Sequence, residues 1–452
     1  MGERMPIAPS RRGFLGTATS LVFGSAVAAR ACDDRPGLAN SRATSGDPVE
    51  PNWSERLTLT VGPKEADLVG GDDKILQAAV DYVARLGGGT VHVKPGVYRL
   101  RNAVYLQSRV RILGSGLESV LLKEPSQSVA LAADSDWYDQ EITLADSAGF
   151  RIGDGVCLRA KNPHNGGATV IKRTLVARSG NRFKLDKALR ENLWLKGDPT
   201  ASTLFPILSG EYVSDIAIEN ITLDGNKDHN ANLDGNYAGC IWIQDCNRIA
   251  IRGVTARNYN GDGISWQVCH DVVVEDCHCH DNAQLGLHPG SGSQRPVIRH
   301  CKSERNDIGI YFCWGVKHGL AEKNQLLENR SHGVSIGHCD TDNVVRDNEV
   351  LRSGKVGVLF RGESKSFAGH RNRIENNRII DSGPETGTGI DVQGETESIT
   401  IAGNEIRETR EPMSRVGVRI GAQAGDVTLR DNRIEGYAVE ISDQRRPPTS
   451  SP

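Results

Sequence analysis

Short segments that open on glycine and then alternate apolar with other residues recur through the C-terminal half of this 452-residue chain. Eight of them follow one another at spacings of 23, 23, 23, 24, 24, 32 and 28 residues. They begin at Cys240, where cysteine replaces the glycine, and at Gly263, Gly286, Gly309, Gly333, Gly357, Gly389 and Gly417. This pattern predicts one such strand per coil, stacked in parallel. Because one coil cannot bury its apolar face alone, we expect an all-β solenoid with a continuous core.

A second predicted strand runs ahead of the first, as in Val272-Val273-Val274, and asparagine recurs after it. One register holds Cys277, Cys301, Asn324, Asn348, Asn377, Asn404 and Asn432, and a second holds Asn282, Asn306 and Asn329. Stacked amide side chains satisfy backbone groups that a buried turn leaves unpaired, so both registers predict inward-facing ladders. The two cysteines in the first register are therefore predicted to be buried packing thiols, with a disulfide between stacked cysteines as the alternative.

The solenoid is expected to span residues 56–443 and to begin with a cap. Apolar residues at Ile75, Ala78, Ala79, Tyr82, Val83 and Leu86 fall on one helical face. Asp73 is a candidate N-cap, and a helix here would cover the open end of the core. Residues 129–208 interrupt the coil pattern and predict a small β-module inserted beside the solenoid.

Both ends of the chain are expected to lie outside the fold. Residues 1–31 carry Arg11-Arg12 before a short apolar stretch, which predicts a twin-arginine signal peptide and a periplasmic or extracellular protein. That stretch is too short to span a bilayer, so no transmembrane segment is expected. Residues 32–55 and 444–452 are predicted to be a disordered tether and tail. A lipid anchor at Cys32 is an alternative.

The charge balance limits the class of partner. The formal net charge is -3, and a nucleic-acid-binding protein would show a strong basic excess. We therefore expect no nucleic-acid partner. A monomer is expected.

Alternate residues of a strand face outward, so the position two residues after each glycine forms one outer column. The column reads Trp242, Ser265, His288, Tyr311, Ser335, Leu359, Asp391 and Arg419. Basic, aromatic and titratable residues concentrate on its central coils. These coils are where the sequence predicts a functional site.

Cleavage of a glycan beside a uronate carboxylate requires a base, an acid and a cation that stabilises enolate-like charge. His288 and Tyr311 are the predicted base and acid, and Lys317 and Arg361 supply positive charge. An arginine beside Tyr311 is expected to lower the pKa of its hydroxyl. Asp262, where the chain enters a strand, completes the predicted catalytic set. The expected substrate-binding residues are Trp242, Gln267, Trp314, His332, His338, Asp391 and Gln393.

Two further classes of function stay open. A glycoside hydrolase needs two carboxyl groups near the scissile bond, and Asp262 with a turn carboxylate such as Asp307 or Asp340 is the candidate pair. A non-catalytic glycan-binding surface solenoid needs neither.

The run DDKILQAAVDYVARLGGGTVHVKPGVYRL resembles the entry segment of pectate-lyase-like right-handed parallel β-helix proteins, in which a helix caps the solenoid. The stretch from Leu285 to Ser291 resembles mannuronan C5-epimerases, with His288-Pro289-Gly290 where those enzymes carry Asp-Pro-His. NGDGI and HGVSIG resemble polygalacturonase segments, although that family's paired aspartates are replaced at or near Ala283 and Gln284. The resemblance implies a right-handed parallel β-helix that acts on polysaccharides. A polysaccharide lyase is the first expectation, with epimerisation or hydrolysis as alternatives.

A loop with alternating oxygen ligands follows a predicted strand. It contains Asp224, Asn226 and Asp228, a pattern typical of calcium loops. We expect either a Ca²⁺ ion held by these three residues or no cofactor.

Overall fold

A computed structural model describes residues 50–445 as a parallel β-helix in which a full coil contributes three strands. The strands that open on the repeated glycine segments form an eleven-stranded sheet, here called the site sheet. It consists of Val104–Tyr105, Leu208–Glu211, Gly239–Gln244, Asp262–Gln267, Leu285–Pro289, Ile308–Tyr311, His332–Ile336, Val356–Phe360, Thr388–Val392, Val416–Ile420 and Val439–Asp443. Neighbouring strands of the site sheet pair in parallel, as the near-constant period predicts.

Two further strands per coil form the remaining walls. The second wall contains Leu57–Gly62, Gly89–Val93, Asn247–Arg252, His270–Glu275, Val297–Arg299, Leu320–Glu322, Val344–Arg346, Arg373–Glu375, Ile399–Ala402 and Val427–Arg430. The third contains Leu68–Val69, Gly96–Leu100, Thr255–Arg257, His278–His280, Lys302–Glu304, Gln325–Leu327, Glu349–Leu351, Arg378–Ile380, Glu405–Arg407 and Arg433–Glu435. Val110–Lys123 and Ser214–Asp224 run through both walls. The third strand of each coil is mostly three residues long, and the sequence did not predict it because so short a run shows no clear alternation.

The predicted asparagine ladders are confirmed. Asn324 donates its side-chain amide to Asn348, and Asn348 to Asn377, each over 2.9 Å. Asn282 donates to Asn306 in the second ladder over 3.0 Å. Each amide also accepts from a backbone N–H of the preceding coil, so turn groups inside the solenoid are satisfied. Among the described residues the nine cysteines are unpaired, and seven of them are buried, including both ladder cysteines.

The capping helix spans Asp73–Arg85, and two details differ from the prediction. Asp72, and not Asp73, caps it by accepting from the backbone of Ile75. The carboxylate of Asp73 instead accepts from the backbone of Arg101, which draws it into the fold.

The buried face of this helix is rotated from the predicted one. It consists of Leu76, Ala79, Val80 and Val83, whereas Tyr82 and Leu86 are exposed. Both faces satisfy the helical period, and packing against the first coil selects between them.

The inserted segment forms a six-stranded antiparallel sheet with its own apolar core, here called the β-module. Its strands are Ser128–Ala130, Glu141–Thr143, Gly155–Lys161, Ala168–Ser179, Arg182–Leu185 and Thr200–Ser202. The 3₁₀ helix Leu195–Gly197 lies between the last two strands. Arg101 joins the module to the first coils through a 2.7 Å ion pair with Asp154. The module therefore lies against the N-terminal part of the site sheet.

The described end of the expected tether contacts the solenoid. Trp53–Glu55 is a 3₁₀ helix, and Trp53 is buried in a small cluster with Ala217 and Ala250. Glu50 forms a 2.7 Å ion pair with Arg252. The predicted signal peptide, Cys32 and most of the predicted tether and tail lie outside the described residues. Within residues 50–445, no helix is long and apolar enough to cross a membrane.

Candidate functional site

The predicted outer column is present in the strand register. Trp242 pairs with Ser265, and Ser265 with His288. Further along the sheet, Tyr311 pairs with Ser335, followed in order by Leu359, Asp391 and Arg419. Several of these outward side chains are nevertheless buried, because the loop after Asn230 covers this part of the sheet. Ser265 donates to the carbonyl of Gly235 in that loop over 2.7 Å.

Asp262 and His288 form a buried pair on neighbouring strands. Nδ1 of His288 donates to Oδ2 of Asp262 over 2.7 Å, and the two side chains are 4% and 0% exposed. The other carboxylate oxygen of Asp262 accepts from the backbone of Leu285. The hydroxyl of Ser265 lies 3.2 Å from the same histidine nitrogen. These contacts fix the ring and the tautomer of His288, so Nε2 is left as its second functional nitrogen.

Burial lowers the pKa of His288, while the Asp262 carboxylate and Cys313 raise it, and the net result is a pKa of about 9. Burial also raises the pKa of Asp262, and its hydrogen bond with His288 lowers it. At neutral pH the imidazolium form of His288 therefore predominates.

His288 opens into a pocket of about 310 Å³. The pocket is lined by Asp234, Gly235, Asn236, Asp262, Gln284, Leu285, His288, Asp307, Ile308, Tyr311 and Cys313. Nε2 of His288 is buried and has no hydrogen-bond partner within residues 50–445. A buried ring nitrogen without a partner is costly unless a ligand supplies one, so this nitrogen marks the centre of the candidate site.

Tyr311 stands beside His288 on the same wall of the pocket. Their rings meet edge to face with centroids 5.5 Å apart. The guanidinium of Arg361 lies over the face of the Tyr311 ring, 4.4 Å from its centroid. The expectation of a lowered tyrosine pKa is wrong. Burial raises the pKa of Tyr311 to about 12, and the opposing effect of Arg361 is smaller.

Arg361 does not offer free positive charge to the pocket. It donates to the hydroxyl of Ser335, to the carbonyl of Phe312 and to Asp340, over 2.9, 3.0 and 3.1 Å. Asp340 is completely buried, and burial raises its pKa to about 6 despite the guanidinium. Arg361 therefore holds the turn at Asp340, and the predicted role of its charge at the substrate is not supported by its contacts.

Lys317 lies apart from the pocket. Its side chain is exposed, and its backbone forms bridges with Gln294 and Thr341 at the start of the second wall. The sequence placed it near the site because it follows Tyr311 by six residues, but the intervening turn carries it off the site sheet.

His332 lies next to the pocket without lining it. Burial, Lys355 and Arg361 lower its pKa to about 4, against the effect of Asp307. Its Nδ1 is buried without a partner among the described residues. Beyond it, the ring of Trp314 stacks on His338 with centroids 3.7 Å apart. Both predicted aromatic residues thus lie together where strands leave the site sheet.

The remaining predicted substrate-binding residues divide into two groups. Trp242 is buried and donates to the carbonyl of Asn236, and Gln267 donates to Ser265, so both support the pocket wall. Asp391 accepts from Gln393 and lies beyond Leu359 in the register, away from the pocket.

Two pocket residues escaped sequence reasoning. Asp234 and Asn236 belong to the long connection between coils, which shows no repeat and so gave no register to place them. Asp307 was expected in a turn, as a candidate partner carboxylate for Asp262, and it lines the pocket. Its carboxylate accepts from the hydroxyl of Ser331 over 2.7 Å.

The predicted calcium loop does not fit a metal ion. The carboxylate of Asp224 accepts from Arg257 over 2.8 Å and from the backbone of Asn226. The side-chain oxygen of Asn226 lies 2.8 Å from His229, and Asp228 is exposed in the 3₁₀ helix Lys227–His229. No group of three or more histidine, cysteine or acidic residues within residues 50–445 is arranged to hold a metal.

Comparison with known proteins agrees with the fold. The family model described as "Right handed beta helix region" matches residues 213–368. Mannuronan C5-epimerase AlgE2 of Azotobacter vinelandii is 22% identical over 328 residues, which cover 71% of this chain and 24% of that protein. The chain thus spans about a quarter of the length of the curated relatives it matches first.

Two solved structures share the architecture at low identity. The A-module of the Azotobacter vinelandii mannuronan C-5 epimerase AlgE4 is 18% identical with a TM-score of 0.52, covering 86% of this chain and 98% of that one. PfbA, a surface adhesin of Streptococcus pneumoniae, is 14% identical with a TM-score of 0.51, covering 87% and 96%. These likenesses show a right-handed parallel β-helix.

Proposed function

We propose that this right-handed parallel β-helix protein is a carbohydrate-active enzyme that cleaves a uronate-containing glycan by β-elimination. The observation that carries the proposal is the unpartnered Nε2 of His288, which faces the pocket while Asp262 holds the opposite nitrogen. A histidine held in this way is suited to proton transfer. The substrate to test first is polymannuronate, since the curated relatives are named as mannuronan epimerases.

In the proposed reaction, neutral His288 takes the proton from C5 of the uronate at Nε2. The electron pair of the C5–H bond forms the C4=C5 double bond, and the C4–O bond to the leaving sugar breaks. Tyr311 donates its hydroxyl proton to the leaving oxygen. Its pKa of about 12 keeps that proton available across the physiological range, which suits an acid.

The side-chain amides of Asn236 and Gln284 each donate one hydrogen to Asp234, over 2.7 and 3.4 Å, and their second amide hydrogen can donate to the substrate carboxylate. Both line the pocket, and neither carries charge. Hydrogen bonds from two amides stabilise the charge that develops next to the carboxylate when C5 loses its proton. They take the place that the sequence assigned to Lys317 and Arg361.

The position of Tyr311 favours elimination over epimerisation. His288 and Tyr311 stand side by side on one wall, with ring centroids 5.5 Å apart. Elimination can use a base and an acid on the same side of the sugar. Epimerisation needs a proton delivered to the opposite face of C5, so the two groups on one wall do not provide it.

The decisive experiment is incubation of the full chain with polymannuronate, polyguluronate, pectate and glycosaminoglycans while the absorbance of unsaturated uronate is followed. We expect a rise on at least one polymer, abolished by His288→Ala and kept by His300→Asn, which changes an exposed histidine outside the pocket. Absence of a rise on every uronate polymer contradicts the proposal. Hydrogen exchange at C5 in deuterated water without chain cleavage would instead identify an epimerase.

Hydrolysis is the second candidate, because the carboxylates of Asp234 and Asp307 both line the pocket. A pair of carboxyl groups at the scissile bond is the usual requirement of a glycoside hydrolase. Release of reducing ends without unsaturated product, lost in both Asp234→Asn and Asp307→Asn, would favour it. Binding of a glycan that is neither cleaved nor exchanged, and that His288→Ala leaves unchanged, would favour a non-catalytic solenoid.

A further inference from the structure

A second, larger cavity lies between the β-module and the first strands of the site sheet. Its volume of about 590 Å³ falls in the range of ligand-binding pockets. Tyr105, Ser209 and Glu211 line it from the solenoid, and Lys172 and Arg173 line it from the module. Both polar and apolar groups face the space, as in sites that take sugars or other polar small molecules.

Lys172 is the unusual residue of this cavity. Its Nζ is buried and has no hydrogen-bond partner within residues 50–445. It rests over the face of the Trp242 ring, 2.9 Å from the centroid. Burial lowers the pKa of Lys172 to about 7, with Glu211 opposing. A buried amine that has only an aromatic face as a partner gains strongly when an anion enters beside it.

The guanidinium of Arg173, the neighbouring cation, already has hydrogen-bond partners in the protein. It donates to the backbone carbonyls of Lys172, Lys187, Ala188 and Leu189. Arg173 therefore shapes the wall of the cavity. Lys187 and Arg190 also line it but are exposed, so Lys172 is the buried cation there whose hydrogen-bonding capacity is unused within residues 50–445.

The cavity continues toward the pocket of His288. A second hollow of about 310 Å³ shares Val170 and Glu191 with it and extends to Tyr237. Asn236, which directly precedes Tyr237 in the chain, lines the His288 pocket. The hollow thus reaches the residue next to one that lines the His288 pocket.

The strand register gives the distance between the two sites. Lys172 rests on Trp242, Trp242 pairs with Ser265, and Ser265 pairs with His288, so two strand steps separate Lys172 from the histidine. At ~4.8 Å per step this is about 10 Å, a span that about two linked sugars cover.

We propose that Lys172 binds a uronate carboxylate of the same glycan chain, about two sugars away from the bond that is broken at His288. This proposal rests on the proposed function, since it takes the uronate glycan as the ligand. It assigns the β-module a purpose, because the module supplies the cation that selects acidic over neutral chains. A long acidic oligomer bridges both sites, and a short one occupies only the His288 pocket.

The test is calorimetric binding of oligomannuronates of increasing length to the full chain in a His288→Ala background, which prevents turnover. We expect Lys172→Met to weaken binding of the long oligomers about tenfold, equivalent to ~1.4 kcal/mol, and to leave binding of the disaccharide unchanged. Carboxyl-reduced long oligomers should bind equally to both proteins. Lys172→Met keeps an apolar stem over Trp242, and thermal unfolding verifies that it folds.

Lys196→Gln is the matched control, since Lys196 is an exposed lysine of the module that does not line the cavity. It should bind every oligomer as the background protein does. Equal affinity of Lys172→Met and the background for long oligomers overturns the Lys172 site while the function at His288 stands. If oligomannuronates and the other uronate oligomers fail to bind even without the Lys172 change, the proposed function fails, and the Lys172 site with it.

Discussion

Oδ2 of Asp262 and Nδ1 of His288 lie 2.7 Å apart across two neighbouring strands of the solenoid, and both side chains are buried. The pair exists because the coil repeat places residue 262 at the entrance of one strand and residue 288 in the middle of the next. It converts an ordinary surface histidine into one with a fixed tautomer and a single available nitrogen.

This pair predicts an alkaline activity profile. The pKa of His288 is raised to about 9, so the imidazolium that cannot accept a proton predominates below that pH. We therefore expect kcat/KM for glycan cleavage to rise with pH up to about 9. Asp262→Asn removes the charge that raises this pKa and should move the rise to lower pH, with a lower maximum rate. An identical pH profile in wild type and Asp262→Asn would show that the pair does not control the reaction.

Tyr311→Phe is expected to remove cleavage and leave the fold intact. The variant keeps the ring beneath Arg361 and beside His288, so the packing of the wall is preserved. Loss of a general acid typically costs 10²–10⁴-fold in rate, and we expect kcat to fall within that range. Steady-state kinetics and a thermal unfolding curve measure the two effects. A variant that retains more than half of the wild-type rate would rule out the hydroxyl as the acid.

Arg361→Met is expected to act on stability and not on substrate affinity. Removal of the Arg361 guanidinium leaves the buried carboxylate of Asp340 without its cation. Breaking a buried ion pair costs about 3–5 kcal/mol of folding free energy. Adding Asp340→Asn should recover part of that loss, because the uncompensated charge is then gone. Chemical denaturation measures both variants. A raised KM in folded Arg361→Met, with normal stability, would instead restore the substrate role that the sequence suggested.

Removal of calcium is expected to change neither activity nor melting temperature. The Asp224 carboxylate is engaged by Arg257 and by its own loop, so the turn is held without a metal. Thermal unfolding and cleavage rate, measured with and without a chelator, check this. A fall in melting temperature that added Ca²⁺ reverses, and that Asp224→Asn abolishes, would show a metal site at the loop.

The solenoid and its column could be predicted because both follow from periodicity. Each coil repeats the same alternation, so a residue such as His288 can be placed beside Ser265 and Tyr311 by counting alone. The asparagine ladders are predictable for the same reason. The register does not depend on the loops.

The side chains that line the pocket could not be predicted from the sequence as completely as the solenoid. Asp234 and Asn236 reach the pocket from a connection without a repeat, and Arg361 turns away from the pocket toward Asp340. Lys317 shows that a residue close in sequence to a site residue can lie away from the site when a turn separates the two. Side-chain direction and loop path are decided by packing between coils, and a periodic pattern carries no information on either.

The β-module leaves the solenoid after Lys123 and returns before Leu208, where the chain resumes the site sheet. Its two ends are tied together, since Gln127 donates its backbone N–H to Thr203 and the hydroxyls of Ser128 and Ser202 lie 2.8 Å apart. An insertion with adjoining ends can be exchanged or lengthened without shifting any coil. Under the proposed function, glycan specificity on this scaffold can thus diverge by exchange of one module for another, while the proposed proton-transfer residues downstream keep their places.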